Sequence, residues 1–453
     1  MREILGKNLV TETKLENIKT NLGSMTDEGK RNAFKTIKYP KEQGSEAIAL
    51  ACIGYSTIGI ANDPEKAIRT PVLYAVIAAG LFTWYFTRGV NMIAINEETV
   101  KNAALGGALL GGGGGGNPKE GEKLGELSLA VGTPTLIDLD ELRDDAILVT
   151  VSAVGAPAAK EQHLKPMHYV KAIQLIEKAG VKVEGLITCE NGGLATLNGW
   201  FQSAMLGIPV VDAPCNGRAH PTGSMGSMGL HKSKSYVSMQ AAVGGDRNEG
   251  RYLEIYIVTN IIEASRIIRQ TAISAGGLVG VARNPVTVKY ARENSAVGGI
   301  SQAIELGRIM REAKEKNPKC MIERAVEFLR GRKLMEGKIQ NVKLKTIGGF
   351  DIGNATVRDE KELYELTFWN EYMCLEKEGQ RIGTFPDLIA TIDLETGAPL
   401  PTAEVKEGQS VAILHIPRQE LKLGSGMKDP EIFKQIEEIT NKQIIKYSFS
   451  GGN

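Results

Sequence analysis

The middle of the chain alternates between segments typical of buried strands and segments typical of helices, and this alternation constrains the fold more than any other feature. The apolar, β-branched run at 146–153 predicts a strand, and apolar residues at helical spacing predict a helix over 167–179. The pattern continues with a strand at 183–189, a helix at 194–206 and a strand at 208–212. Parallel neighbours need crossover connections, so this βαβαβ order predicts a mainly parallel sheet with helices on both faces.

The predicted sheet also indicates where a site should lie. In open parallel sheets, ligands bind beyond the carboxyl ends of the strands, where loops from several strands meet. Three such ends are predicted, at 152–157, 189–193 and 212–220. These loops hold most of the reactive side chains in the middle of the chain, so we expect them to converge on one functional site.

The sequence predicts three regions along the chain. Residues 1–99 form an N-terminal extension that is partly helical. Its apolar segment 71–86 is predicted to be a buried helix, because it is shorter than the roughly 18 residues expected of a membrane span. Residues 100–265 form the α/β domain. Residues 266–453 form an α+β domain that is β-rich, since strand-like alternation and turns dominate its later part.

Composition narrows the class of function. With 453 residues, 42% hydrophobic and 24% charged, the chain is an ordinary globular protein. Lys+Arg 54 against Asp+Glu 53 gives a net charge of +1, which does not support a nucleic-acid surface and favours a small-molecule partner. Five scattered cysteines without a C-x-x-C pair, and no apolar leader, predict a cytoplasmic protein without a membrane partner. The near-zero charge and the apolar 47–86 region lead us to expect a homo-oligomer that buries this region between subunits.

A run of glycines, 111–116, predicts a loop, because glycine leaves the backbone too free for a helix interior or an ordinary strand. Successive backbone N–H groups without side chains can cradle an anion; a turn that permits close chain packing is an equal alternative. No Gly-Lys-Ser/Thr follows and the preceding segment is helical, so we expect no nucleotide cofactor. The candidate substrate-binding residues here are Gly113, Gly114, Gly115, Gly116 and Asn117.

A thiol and a carboxylate, Cys189 and Glu190, end one predicted strand at the start of a predicted helix. The positive end of a helix favours a thiolate or an anion, while simple capping of the helix is an equal alternative. Asn191 and Gly192 follow directly and are further substrate-binding candidates.

The densest group of reactive side chains lies on the next loop. Its members fall within nine residues of one another and are Asp212, Cys215, Arg218 and His220. Such a loop can gather O, S and N ligands for a metal, or a nucleophile, a base and an arginine that pairs with an anion. His231 stands nearby as a third candidate metal ligand.

Taken together, these motifs resemble the S-methyl thiohydantoin desulfurase family, whose members are often found beside hydantoinase- and oxoprolinase-type proteins. The matching segments occur in order over roughly residues 100–445 and are the glycine run ending in Asn117-Pro118, Val154-Gly-Ala-Pro157, Glu190-Asn-Gly-Gly193, Ile208-Pro-Val-Val-Asp212, Gly217-Arg-Ala219 with Pro221, Asn370-Glu371 and Pro386-Asp-Leu-Ile389. The chain departs from the family pattern at Ala213-Pro-Cys-Asn216, at His220 and at Thr222. These changes fall inside the expected site and allow a different substrate.

The resemblance implies a hydrolase that acts on a five-membered cyclic ureide-like ring, a hydantoin or thiohydantoin derivative, by means of activated water. On this interpretation Asp212 or Glu190 is the base, and Cys215 and His220 are either metal ligands or nucleophile and base. Arg218 and the glycine amides would hold an anionic substituent. The expected metal is zinc or another divalent ion, bound by Cys215, His220 and His231.

The sequence also allows two functions other than hydrolysis by activated water. One is a metal-independent amidase or lyase that uses Cys215 covalently. The other is a non-catalytic ligand-binding subunit of a hydantoinase-type complex.

Overall fold

The computed structural model describes residues 48–50, 72–74, 92–155, 161–315 and 317–449. The chain divides into two units, 1–91 and 92–453. In the first unit, β1 (Ile48–Leu50) and β2 (Val72–Tyr74) form a parallel pair. Apart from β2, the apolar segment predicted to be a buried helix lies outside the described residues.

The second unit holds the remaining helices and strands of the described chain. Its strands are β3 (Met92–Ala94), β4 (Thr135–Ile137), β5 (Ile147–Gly155), β6 (Gly185–Thr188), β7 (Val210–Val211), β8 (Ser238–Gly244), β9 (Leu253–Thr259), β10 (Leu278–Thr287), β11 (Arg332–Ile347), β12 (Phe350–Arg358), β13 (Leu363–Trp369), β14 (Glu371–Lys377), β15 (Gln380–Thr384), β16 (Leu388–Asp393) and β17 (Ser410–Ile416). Its helices are α1 (Glu97–Leu110), α2 (Pro118–Val131), α3 (Pro166–Lys178), α4 (Trp200–Leu206), α5 (Ile261–Ser274), α6 (Val288–Asn294), α7 (Gly299–Lys314), α8 (Pro318–Phe328), α9 (Lys434–Thr440) and α10 (Ile445–Phe449).

The first sheet has eight strands in the order β3-β4-β7-β6-β5-β10-β8-β9. Pairing is parallel from β4 through β7 and β6 to β5, and β5, β6 and β7 are the strands of the predicted βαβαβ part. The other neighbours, including β5 with β10, pair antiparallel. The α/β class is confirmed, and the sheet is mixed, with its parallel strands grouped together.

Helices cover both faces of this sheet, as predicted. Ile173 of α3 packs with Ala241 and Val243 of β8, whereas Ile268 of α5 packs with Ala242. Alternate residues of a strand point to opposite faces, so α3 and α5 lie on opposite sides of the sheet. Each fully buried isoleucine contributes on the order of 1.5–3 kcal/mol to this packing.

The helix predicted at 194–206 is broken in two. A 3-10 turn, Ala195–Leu197, is followed by α4, and the residue between them that adopts a left-handed conformation is Gly199, at φ +102°. A left-handed residue cannot continue an α-helix, so the chain turns here before α4 begins.

The second sheet has seven strands in the order β15-β14-β13-β12-β11-β17-β16, all paired antiparallel. It confirms the β-rich α+β character predicted for the C-terminal part. A hydrophobic core that includes Leu109 of α1, Leu306 of α7 and Leu414 of β17 joins the helices to this sheet. This packing holds the glycine run that follows α1 against the second sheet.

The structure bears on the predicted domain boundary at 265 and on membrane-spanning helices. The predicted boundary at 265 falls inside α5, and β10, which lies beyond it in sequence, is a member of the first sheet. Among the residues that the structure describes, no helix is both long enough and apolar enough to cross a membrane.

Candidate active site

A cavity of about 420 Å³ is lined by the loops that follow the parallel strands and by residues of the second sheet. The three loops predicted to converge all contribute to it, through Ser152–Gly155, Cys189–Glu190 and His220–Gly223. The rest of the first loop, 156–160, lies outside the described residues. The strand ends therefore gather the predicted loops at one place, as a parallel sheet requires.

A thiol, a carboxyl and an imidazole form a compact cluster in this cavity. The Nε2 atom of His220 lies 3.5 Å from Sγ of Cys189 and 3.4 Å from Oε2 of Glu190. The backbone N–H of His220 donates to the same carboxyl oxygen at 3.1 Å. Gly226 makes room for the cluster, since a Cβ there would meet both Cys189 Sγ and the imidazole at 2.6 Å.

A β-bulge directs an arginine at this cluster. Nη2 of Arg283 donates to Sγ of Cys189 at 2.9 Å and to Oγ of Ser152 at 3.1 Å. The register of β10 shifts between Arg283 and Val286, and Asn284 within the shift has φ +54°. Bulges re-aim side chains in this way, which places a buried guanidinium against the thiol.

Burial and mutual charge shift the pKa values of the three cluster residues. The pKa of Cys189 lies well below its usual value because the Cys215 thiol donates a hydrogen bond to it and the charges on Arg283 and His220 outweigh the cost of burial. Burial raises the pKa of Glu190 to about 7 against the opposing charge of His220. Burial acts against the imidazolium, yet the charges on Cys189 and Glu190 raise the pKa of His220 to about 9. Shifts of this kind, in a cavity, are typical of functional sites.

The cluster also fits a divalent metal. Its ligand atoms, one each from Cys189, Glu190 and His220, all lie within 4.8 Å of one another. In a tetrahedral zinc site, bonds of about 2.0–2.3 Å separate neighbouring ligand atoms by about 3.5 Å. The measured 3.5 and 3.4 Å match that separation. Three protein ligands facing a cavity leave a fourth position for water or substrate.

The glycine run lines the cavity through Gly113–Gly116 and also packs closely against the loop that follows β6. A Cβ at Gly115, which has φ +75°, would lie 2.5 Å from Cα of Gly192. Its carbonyl accepts hydrogen bonds from the backbone N–H groups of Leu194 and Ala195 at 3.0 and 2.9 Å. The run therefore packs closely against this loop and also lines the cavity. Asn117 lines the cavity as well and caps α2.

The second sheet contributes a buried acid, Glu371, to the cavity wall. Glu371 is only 2% exposed to solvent. Its Oε2 atom has no hydrogen-bond partner within the described chain. Burial, together with the negative charge of Glu190, raises the pKa of Glu371 to about 8. Asn370, at φ +57° between β13 and β14, forms the turn that presents it.

Two predicted site residues, the candidate base Asp212 and the substrate-binding candidate Asn191, form hydrogen bonds to the backbone at the start of α7. Asp212 accepts hydrogen bonds from the backbone N–H groups of Ile300 and Ser301 at 2.6 and 3.1 Å, at the start of α7. It does not line the cavity, so the prediction of a base at this position is not supported. Asn191 likewise does not line the cavity; its Nδ2 donates to the carbonyl of Gly299 at 2.8 Å.

Arg218 was predicted to bind an anionic substituent, yet it lies outside the cavity lining. Its Nη1 donates to the carbonyls of Pro386 and Asp387, and its guanidinium lies 4.5 Å from the centre of the Phe385 ring. These contacts tie the loop after β7 to the second sheet. Its Nη2 has no hydrogen-bond partner in the described ranges and lies against Gly112.

The predicted metal set of Cys215, His220 and His231 is not assembled. Cys215 is buried outside the cavity lining, with Sγ 3.3 Å from Oγ1 of Thr150, and burial holds its pKa above the usual value. His231 binds Asp429 through Nε2 at 2.6 Å and does not line the cavity. The structure places Cys189 and Glu190 around His220 instead.

Sequence reasoning also missed Arg283 and Glu371 as site residues and gave Cys189 no committed role. Both charged residues carry a signal that could have revealed them, because each interrupts an apolar stretch, Leu278–Ala282 before Arg283 and Tyr372–Leu375 after Glu371. A charge inside a buried strand requires a partner or a function.

Fold and site together define a protein in which an α/β domain and an antiparallel β domain enclose one cavity with a Cys–Glu–His cluster. Family models described as the S-Me-THD-like N-terminal domain and the S-Me-THD-like C-terminal domain match residues 98–249 and 259–425. The chain belongs to this family, which confirms the resemblance to S-methyl thiohydantoin desulfurases.

A likeness to a solved structure supports the fold alone. The crystal structure of a protein from Chromobacterium violaceum is 20% identical, covers 77% of this chain and 96% of its own, and superposes with a TM-score of 0.60. No curated protein matches this chain.

Proposed function

We propose that this protein hydrolyses a five-membered cyclic ureide-like ring, a hydantoin or thiohydantoin derivative, in the cavity between its two sheets. The observation that carries the proposal is the Cys189–Glu190–His220 cluster, which lies at the wall of a cavity of about 420 Å³. That volume lies within the range typical of small-molecule sites. The family to which the chain belongs supports a ring substrate that bears sulfur.

The cluster offers the groups that water needs to attack a ring carbon. Glu190, with a pKa near neutrality, accepts the proton of the attacking water. Arg283 and His220 place positive charge beside the site and stabilise the negative charge that develops on the exocyclic atom. Since Cys189 and His220 are buried, these charges act more strongly than they would in water.

The same three donors would hold a divalent ion, for which zinc is our proposal on the basis of their S, N and O chemistry; Glu190 would bind it through one carboxyl oxygen and keep the other oxygen for the proton. Bound there, such an ion would lower the pKa of a water molecule and polarise the atom it faces. In that case Gly226 and Arg283 keep the donors in position, Gly226 by leaving room for them and Arg283 by fixing the sulfur.

The test is a panel of hydantoins, thiohydantoins and S-methylated thiohydantoins, offered to the wild-type protein and to the variants Cys189→Ser and His220→Asn. We expect the wild type to convert at least one ring and each variant to lose about a hundredfold or more of kcat/KM. Cys320→Ser, which changes a free thiol on α8 outside the cavity lining, is the matched control and should keep the wild-type rate. Wild-type protein that converts no ring, or variants as active as wild type, would refute the proposal.

Metal analysis of the same proteins tests the zinc assignment. We expect about one zinc per chain in the wild type and its loss in His220→Asn. Full activity in protein without any metal, together with selective alkylation of Cys189, would instead assign the covalent cysteine route.

A further inference from the structure

Glu371 is a buried acid in the cavity wall that takes no part in the proposed activation of water. It comes from the second sheet, whereas Cys189, Glu190 and His220 all come from loops of the first sheet. It lines the same cavity and is 2% exposed. Its Oε2 has no hydrogen-bond partner among the residues that the structure describes. An unpaired polar atom at such depth costs roughly 1–3 kcal/mol, so its retention calls for a function.

The glycine run is shaped around this carboxyl. A Cβ placed on Gly114 would lie 2.0 Å from Oε1 of Glu371, so only glycine leaves room for the acid at this position. Gly112, two residues earlier, leaves room in the same way for Arg218, since a Cβ there would lie 2.8 Å from its Nη2. The run therefore accommodates two buried side chains, one from the loop after β7 and one from β14.

The groups that face Glu371 keep its proton in place. Burial and the negative charge of Glu190 raise its pKa to about 8, against the opposing positive charges of His220 and Arg218. At neutral pH the group is mainly a neutral carboxylic acid, which can donate a proton.

We propose that Glu371 is the proton donor of this site, a carboxylic acid supplied by the second sheet that protonates the atom leaving the ring. The inference rests on the proposed function and deepens it. Water forms a bond to the ring carbon and gives its proton to Glu190; the bond from that carbon to the leaving nitrogen or sulfur breaks. The leaving atom takes the electron pair of that bond and the proton of Glu371. Transfer of the proton held by Glu190 back to Glu371 closes the cycle, with no net change beyond the hydrolysis.

The test compares two ring substrates that differ only in the leaving group, an alkylthio group and a 4-nitrophenylthio group. A basic alkyl thiolate needs a proton as it leaves, whereas the weakly basic aryl thiolate does not. We expect Glu371→Gln to lose about a hundredfold to ten-thousandfold of kcat on the alkylthio substrate. On the arylthio substrate it should stay within about threefold of wild type.

Gly114→Ala provides a second variant that leaves Glu371 itself intact. Its new Cβ displaces the carboxyl, and Gly114 does not have a positive φ, so the backbone tolerates alanine. We expect the same dependence on the leaving group. Glu362→Gln, which removes a carboxylate paired with Lys377 on the same sheet, is the control and should match wild type on both substrates.

The outcomes distinguish failure of the proposed function from failure of the proton-donor role. Wild type that converts neither substrate refutes the proposed function and this inference with it. Wild type that converts both, with Glu371→Gln equally impaired on both or unimpaired on both, refutes the proton-donor role alone. Thermal unfolding of each variant is recorded, and a variant that unfolds at the assay temperature is replaced in the comparison by the other one.

Discussion

At the scale of single residues, the site depends on which buried polar groups face the cavity and which hold the chain together. Asp212 and Glu190 both follow parallel strands, yet Asp212 accepts two backbone N–H groups of α7 while Glu190 faces the imidazole of His220. Two acidic residues at strand ends thus have different surroundings, a helix terminus for Asp212 and an imidazole in the cavity for Glu190.

Replacing Asp212 by alanine should destabilise the fold without changing the chemistry of the folded fraction. The substitution leaves the backbone N–H groups of the buried Ile300 and the half-buried Ser301 without their acceptor, at a cost of about 1–3 kcal/mol. Chemical denaturation measures this loss. Asn260→Ala removes an exposed cap of α5 and should cost only about 1 kcal/mol. A fall in kcat per folded Asp212→Ala molecule would return this residue to the catalytic set.

The stability of the protein should depend on pH through Glu371. Its pKa is raised from 4.5 to about 8 in the fold, so its contribution is fully present below about 4.5 and is lost as the pH rises through about 8. Glu371→Gln, which cannot ionise, should therefore gain stability relative to wild type on going from about pH 5 to about pH 9, by on the order of a few kcal/mol. Denaturation midpoints at the two pH values measure it, and an unchanged difference would contradict the assignment.

The candidate site could be predicted in part from the sequence. His220 and Glu190 were identified because reactive residues cluster on loops at strand ends. Cys215 was preferred over Cys189 because it stands closer to His220 in sequence. The fold reverses that preference: Cys215 lies outside the cavity lining, beside Thr150, and Cys189 stands in the cavity. Which way a side chain points from a loop depends on packing across the sheet, which a single sequence does not show.

At the scale of secondary-structure elements, the glycine run is the part most sensitive to change. Gly115→Ala places a Cβ 2.5 Å from the backbone of Gly192 at a positive φ, so it suffers both a collision and backbone strain. We expect a loss of more than about 2 kcal/mol and a displaced cavity wall. Gly348→Ala has a positive φ but open space and should cost about 1 kcal/mol. Equal losses in the two variants would show that the run is not closely packed.

Local patterns predicted the individual elements more reliably than their pairing. The strand at 146–153 and the helix at 167–179 correspond to β5 and α3. The helix predicted at 194–206 contained a glycine whose left-handed φ only tertiary structure reveals. The antiparallel insertion of β10 between β5 and β8 is a contact between distant segments, and periodicity carries no information about it.

At the scale of the whole molecule, the cavity needs both family domains. Its lining combines Cys189 from the N-terminal match with Arg283 and Glu371 from the C-terminal match. Arg283 lies on β10, which is a strand of the first sheet, so the two sequence domains share one sheet. The sequence predicted two classes of architecture correctly, but a boundary drawn from patterns could not show this sharing.

The homo-oligomer expected from the sequence remains a prediction. A chain that begins at Met92 lacks the apolar 47–86 region. If that region is buried between subunits, the shortened chain should elute from size exclusion with fewer subunits per particle than the full chain. The same elution state for both chains would contradict the prediction.

The most direct test of hydrolysis in this cavity is the mass of the ring product formed from an S-methylated thiohydantoin in ¹⁸O-labelled water. We expect a product in which one heavy oxygen has replaced the methylthio group, formed by the wild type and strongly suppressed in His220→Asn. A product without label, or equal formation by both proteins, would contradict it.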